Sequence, residues 1–268
     1  MKVTVFTGNQ PRHISLINKL SASFDEVCAV VECTTVFPGQ TDDFYKKSEI
    51  MRLYFSKMLN AERSVFKADV GINKIKLLKP IKLGDLNNIE LSDLDVYLNS
   101  DVYIVFGASY IKGSLCDFLI KNHALNIHMG VSPFYRGSGC NFWSLYDENP
   151  RLVGGTIHKL SRGLDSGEII KLAFPAYDES TDGFELGMRA VESAQNCIID
   201  LIAKNSVRSL AGVPQDKNLE IRYSRYIDFT DECVFDYMNN KNLSSNELYQ
   251  KIKNSYVDFR GIPCFNLM

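Results

Sequence analysis

Residues 2–31, KVTVFTGNQPRHISLINKLSASFDEVCAVV, decide the fold class. KVTVF reads as a short apolar strand ending at Gly8, since β-branched and aromatic side chains suit a pleated surface. Ile14, Ile17 and Leu20 then recur at helical spacing and mark an amphipathic helix. Residues 27–31 are apolar throughout and read as a second strand. Strand, helix and strand in that order form a βαβ unit, and so part of a parallel sheet.

The same alternation continues downstream. Strands are predicted over 102–106, 124–128, 155–160 and 169–173, the last after a turn at Asp165-Ser166-Gly167. Helices are predicted over 114–122, 141–146 and 182–204, the last from Phe184, Leu186, Val191, Ala194, Ile198 and Leu201. Residues 42–68 read as one long surface helix. Phe44, Ser48, Met51, Phe55, Leu59 and Phe66 lie near one face, with Lys46, Lys47, Arg52, Lys57 and Arg63 mostly elsewhere. Acidic residues mixed into it favour packing over membrane binding. Beyond 205 there is a strand candidate over 219–226 and a helix from Ser244, whose Glu247 three positions on completes a capping box. The expected architecture is α/β: a Rossmann-like, mostly parallel twisted sheet flanked by helices over 1–205, and a small C-terminal α+β subdomain over 206–268.

Composition removes several function classes. With 45% apolar and 23% charged residues the chain can bury a sizeable core. A formal net charge of -2 lacks the broad basic excess that binding to a nucleic acid backbone requires. No apolar run approaches the roughly 18–20 residues that cross a bilayer, and MKVTVFTG reads as a strand and not as a secretory signal. The seven cysteines (28, 33, 116, 140, 197, 233 and 264) are scattered, with no C-x-x-C pair, as free thiols of a cytoplasmic protein are. The four histidines lack the spacing of a zinc site.

In an open parallel sheet, ligands gather beyond the carboxyl ends of the strands, where the strand order reverses. FTGNQPRHI (6–14), FGASYI (106–111), LNIHMGVSPFYRGSG (125–139) and SRGLDSGEI (161–169) are the candidates for that edge. The first holds one glycine, so the G-x-G-x-x-G fingerprint of a nicotinamide enzyme is absent. Its helix N-terminus, with Arg12 nearby, suits an anionic ligand, although a solvated Arg12 is the bland alternative. Asn126 and His128 are two apart on a strand and point to one side of the sheet. An amide donor beside an imidazole can hold the negative charge that develops on a carbonyl under attack. Asp165, in a Gly-rich loop, can orient the imidazole or take a proton from an attacking amine. Spacing alone equally allows a structural role. Cys140, twelve residues after His128, invites a Cys–His nucleophile reading. His158 suits packing or orientation, His13 and His123 a solvent-facing or capping place, and Phe142 and Trp143 the core face of a helix.

Taken together, LNIHMGVSPFYRG (125–137) and GGTIHKLSRGLDSGEII (154–170) resemble the folate-dependent formyltransferase family over roughly residues 1–200. The likeness lies in Asn-x-His, a Ser-Pro followed by aromatic-Arg-Gly, a Thr-x-His strand and an Asp-x-Gly loop. It implies formyl transfer from 10-formyltetrahydrofolate to a primary amine without a metal. Asn126, His128 and Asp165 are then the catalytic trio. Phe106, Gly107, Ala108, Ser109, Tyr110 and Ile111, with Gly163 and Leu164, line the folate. Gly8, Asn9 and Arg12 resemble the family's phosphate-gripping loop. The aromatic and hydroxyl character of SPFYRGSGCNFW (132–143) and the tail IKNSYVDFRGIPCF (252–265) is similar to the nucleotide-sugar N-formyltransferases. In those enzymes Ser132, Tyr135, Arg136 and Gly137 would lie near the sugar or diphosphate. The acceptor implied is a nucleotide-linked 4-amino-4,6-dideoxy sugar of a surface polysaccharide pathway, and the assembly a cytoplasmic homodimer without a nucleic acid or membrane partner. A methionyl-tRNA or glycinamide ribonucleotide formyltransferase, a formyltetrahydrofolate hydrolase and a non-catalytic binding module are the alternatives. Within this resemblance His128 is explained without Cys140 as nucleophile.

Overall fold

A computed structural model describes residues 1–34, 47–67 and 71–266. In chain order the strands are β1 (Lys2–Gly8), β2 (Glu26–Cys33), β3 (Leu77–Lys82), β4 (Val102–Phe106), β5 (Leu125–His128), β6 (Tyr135–Gly137), β7 (Gly155–Lys159), β8 (Ile169–Ala173), β9 (Arg222–Ser224) and β10 (Cys264–Phe265). The helices are α1 (Pro11–Ser23), α2 (Glu49–Phe66), α3 (Gly113–Lys121), α4 (Cys140–Tyr146), α5 (Gly183–Lys204), α6 (Asp231–Asp236) and α7 (Ser245–Asn254).

Eight strands form one sheet in the order β10-β8-β7-β5-β4-β1-β2-β3. The run β3-β2-β1-β4-β5 is parallel throughout, β7 is antiparallel to both β5 and β8, and β10 is parallel to β8. The central strands are buried on both faces, as a parallel sheet covered by helices requires. Val3, Val5, Ile104 and Phe106 face α1 and α5 through Ile14, Ile17, Ala194 and Ile198. Phe6, Tyr103 and Val105 face the other way, toward α3 through Leu115 and Leu119. The order reverses at β1, which lies between β2 and β4, so a crevice opens at the carboxyl ends of β1 and β4.

Apart from the helix expected over 42–68, the predicted strands and helices of the first 205 residues agree with this framework to within a residue or two, and Asp182 caps α5 by accepting from the Glu185 N–H at 2.8 Å. Ser244 caps α7, and the Glu247 carboxylate returns to the Ser244 N–H at 2.9 Å. The helix expected over 42–68 is observed as Glu49–Phe66; residues 42–46 and 68 lie outside the described residues. Ser48 is its N-cap rather than part of its buried face, which runs through Met51, Tyr54 and Glu62. The strand expected over 219–226 is reduced to β9, because Lys217–Leu219 and Tyr226–Asp228 turn into 3-10 helices on either side. Strand β3 escapes sequence reading because Pro80 interrupts it. Proline is tolerated there because, among the described residues, β3 is the sheet edge and pairs only with β2.

Residues 206–266 lie against the sheet and α2. β10 adds to the sheet beside β8, and β9 pairs with β6 in a separate two-stranded ribbon. Val234, Tyr237, Phe259 and Ile262 join Tyr54, Phe142, Trp143 and Phe184 in one aromatic-rich cluster. Trp143, expected on a core face, is 3% exposed, with the Arg222 guanidinium 4.5 Å from its ring.

Candidate active site

At the carboxyl end of β5, Asn126 and His128 converge on Asp165. Asp165 is on the loop between β7 and β8, where its φ of +46° is a left-handed conformation that Asp tolerates better than most residues. His128 Nδ1 and Asp165 Oδ2 are 3.2 Å apart, with side chains 7% and 12% exposed. Asn126 Nδ2 donates to Asp165 Oδ1 at 3.2 Å and to His158 Nε2 at 3.0 Å. The antiparallel register pairs Asn126 directly with His158, which is how the second imidazole arrives. His158 Nδ1 donates to the Lys159 carbonyl at 2.8 Å, so its Nε2 is an acceptor and needs the amide nitrogen of Asn126 opposite it. Both Asn126 N–H groups are therefore engaged, and its orientation follows from its neighbours. His158 orients Asn126, the role expected of it.

Burial opposes a charge on His128. The Cys140 sulfur at 3.5 Å and the Asp165 carboxylate outweigh it and hold the imidazole pKa well above its usual value. Burial likewise works against the Asp165 carboxylate, but the neighbouring His128 brings its pKa well below the usual carboxylate range. The pair is thus poised as carboxylate and imidazolium. Gln215, from beyond α5, secures the loop by donating to the carbonyls of Asp165 and Gly167, each at 2.8 Å.

The trio opens on a cavity of about 480 Å³. Residues 106–111, Gly163 and Leu164, the expected folate-lining set, all border it. The Tyr110 hydroxyl donates to the Arg162 carbonyl and ties these two segments together. The opposite wall is apolar and aromatic: Tyr54, Phe142, Phe184, Met188 and Tyr237. Among the described residues no cluster is placed to hold a metal ion.

The other expected ligand residues are arranged differently. Arg12 borders the cavity, but its guanidinium is 2.8 Å from Glu62, a carboxylate 1% exposed on α2. The Asn9 side chain accepts from Thr34 and donates to its carbonyl at 2.8 Å, and neither Asn9 nor Gly8 reaches the cavity wall. Ser132, Tyr135, Arg136 and Gly137 also lie off the cavity. Ser132 is buried against Thr156, and the Tyr135 hydroxyl contacts Asp147 and Asn149. Arg136 donates to Glu220 at 3.0 Å, and Gly137 pairs with Ser224 in the β6–β9 ribbon. Tyr135, Arg136 and Gly137 pair with the C-terminal segment through this ribbon. An alternating strand presents the same polar side chains whether it meets a ligand or another piece of chain.

His13, expected to face solvent or cap a helix, does the second only. It accepts from the Gln10 N–H at 3.3 Å, and its ring is 3% exposed, edge-on to Phe106. Burial, and then Arg12, lower its pKa well below the usual value, which leaves it neutral. Glu62, Tyr54, Tyr237 and Gln215 were not expected at the site. Glu62 carries a readable signal, since it is in phase with Met51, Tyr54 and Met58 on the buried stripe of α2. The others are brought in by packing alone.

No family model matches the chain. It is similar to the methionyl-tRNA formyltransferase of Synechococcus sp., with 24% identity over 119 residues, 44% of this chain and 37% of that protein. It thus spans less than half the length of the curated relatives it matches. Among solved structures, a 4-N formyltransferase from Francisella tularensis superposes with a TM-score of 0.54 at 17% identity, covering 100% of this chain and 96% of that one. The N-formyltransferase from Helicobacter canadensis, solved with folinic acid and dTDP-3-aminofucose, gives 0.51 at 15% identity over 99% and 85%. The mixed sheet, its strand order and these superpositions agree: the chain has the formyltransferase fold.

Proposed function

We propose that this chain is an N-formyltransferase carrying a formyl group from 10-formyltetrahydrofolate to the amino group of a nucleotide-linked 4-amino-4,6-dideoxy sugar. It acts in the cytoplasm as a homodimer, and its product supplies a surface polysaccharide. The observation that carries this reading is the convergence of Asn126, His128 and Asp165, with contacts of 3.2 Å, at a cavity bordered by residues 106–111, 163 and 164.

The donor supplies an activated one-carbon group. The chain supplies placement and charge. Backbone of 106–111 and the edge formed by Gly163 and Leu164 fit a flat heteroaromatic ring system, because peptide groups there border a largely apolar space. The imidazolium of His128 stabilises negative charge gathering on the formyl oxygen and protonates the departing nitrogen. Asn126 contributes by exchanging its bond to Asp165, the longer of its two at 3.2 Å, for the same oxygen. Asp165 keeps the imidazolium charged and receives the proton released by the amine. His158 holds Asn126 in place throughout.

The aromatic wall of Tyr54, Phe142, Phe184 and Tyr237 supports a sugar acceptor, since the C–H faces of a deoxysugar pack well on such rings. The segment beyond 205 acts in this reading as an appendage that closes the acceptor side, contributing Tyr237. The test is release of tetrahydrofolate from 10-formyltetrahydrofolate with a panel of nucleotide-linked aminosugars, glycinamide ribonucleotide, methionyl-tRNA and water. Turnover by an aminosugar alone supports the reading. Turnover only by methionyl-tRNA, glycinamide ribonucleotide or water refutes it, and light scattering checks the homodimer.

A further inference from the structure

Residues 107–112 join β4 to α3 as neither strand nor helix, and 107–111 border the cavity. Gly107, with φ of +63°, turns the chain out of β4. Backbone groups in such a stretch have no ladder to pair with, so other groups must hold them. Two side chains from the far edge of the sheet do so. Glu32, at the carboxyl end of β2, accepts from the Ser109 N–H through Oε2 and from the Gly84 N–H through Oε1, the latter at 2.9 Å. Asn87, on the 3-10 turn Asp85–Asn87 that follows β3, donates to the Tyr110 carbonyl at 2.9 Å. The same side chain accepts from the Lys112 N–H at 2.7 Å. Glu32 and Asn87 thus form a bracket around the segment. Tyr110 extends it toward the catalytic loop, its hydroxyl donating to the Arg162 carbonyl.

Glu32 is the informative member. It is 1% exposed, and among the described residues no cation pairs with it. A buried carboxylate without a counter-charge is costly, and the compensation here is two charge-assisted bonds from backbone N–H groups. Apolar side chains of similar size would serve stability as well or better. What the carboxylate adds is placement of the backbone it holds. Resting on the formyl-transfer reading above, we infer that Glu32 and Asn87 are positioning residues for the formyl donor. Neither borders the cavity, and each fixes backbone of the segment that does. They preform the wall on which the donor's ring system lies, so binding does not also have to order residues 107–111. The aromatic residues of the opposite wall come from α2, α4, α5 and the chain after α6, so loss of the bracket falls on the donor side.

The test separates donor from acceptor. Glu32→Gln keeps the size of the side chain and a bond to one N–H, and sets an amide N–H against the other. Asn87→Ala, on an exposed turn, removes both of its bonds without touching the core. Each full-length variant has its melting transition recorded and is titrated by calorimetry with 5-formyltetrahydrofolate, an isomer of the donor. Initial rates are measured with the aminosugar that the wild type turns over. The dissociation constant and the donor KM are expected to rise about tenfold in Glu32→Gln and about threefold to tenfold in Asn87→Ala. Acceptor KM, and kcat at saturating donor, are expected to stay within about twofold of the wild type. Should Glu32→Gln fail to fold, Asn87→Ala carries the test by itself. Folded variants that bind 5-formyltetrahydrofolate as tightly as the wild type overturn the positioning role and leave the function proposed above standing. Variants whose kcat and acceptor KM worsen as much as their donor KM do the same. A wild type that binds no folate overturns both.

Discussion

Replacing Asp165 with Asn tests the electrostatic core of the site. The substitution is nearly isosteric, and Asn tolerates the left-handed backbone found at this position, so the loop keeps its shape. What is lost is a charge 3.2 Å from His128 Nδ1, an attraction of about 5 kcal/mol at an effective dielectric near 20. That attraction is a main reason why the imidazole stays protonated against its own burial. Without it, the Cys140 sulfur alone opposes burial, and the His128 pKa falls from its raised value. The ring then holds its proton less firmly and offers less positive charge to the formyl group. We expect kcat to fall about 10²–10⁴-fold with little change in donor KM. Imidazole titration by NMR on both proteins gives the protonation state, and initial rates against pH give its consequence. The linkage sign is fixed as well. The depressed pKa of Asp165 contributes stability above about pH 3.9, lost as pH falls through the folded value. The raised pKa of His128 contributes stability below about pH 6.5, lost as pH rises through its folded value. The pair is therefore fully stabilising only between about pH 4 and 6.5. In urea titrations the wild type should lose stability on both sides of that window, and the variant should lose much of this dependence. A His128 that titrates at the same pH in Asp165→Asn as in the wild type, or an unchanged rate, would refute the reasoning.

Gly107→Ala should destabilise the chain by at least about 1–2 kcal/mol from its backbone alone, since φ is +63°, and its Cβ would also stand 2.3 Å from His13 Nε2; an unchanged urea midpoint would contradict this. Arg12→Met should cost about 3–5 kcal/mol by leaving Glu62 buried without its cation, and Arg12→Met with Glu62→Met should recover most of the loss. If Arg12 served only to grip a substrate phosphate, the single variant would raise acceptor KM and leave stability alone. Arg136→Ala removes a contact to Glu220 in the docking ribbon and should lower stability by about 1 kcal/mol while leaving both KM values nearly unchanged; a raised acceptor KM at native stability would place Arg136 at the substrate after all.

The sequence by itself determined the layered α/β framework, because apolar runs and helical spacing record burial on each face of a strand or helix. It also placed Asn126 and His128 on one side of β5, since side chains on a strand alternate, and it located the two loop segments that border the cavity. Only the tertiary structure decided what those residues touch. The antiparallel return of β7 sets His158 opposite Asn126, and the β7–β8 loop carries Asp165 onto His128. The contact between Cys140 and His128 depends on a glycine at 130 that no local pattern marks as necessary. Tyr135, Arg136 and Gly137 show the converse limit. A polar-aromatic stretch at a strand edge suits a ligand or a second segment equally, and here β9 takes that place. Pairing across 85 or more residues depends on where the chain returns in space, whereas burial is written residue by residue in side-chain polarity.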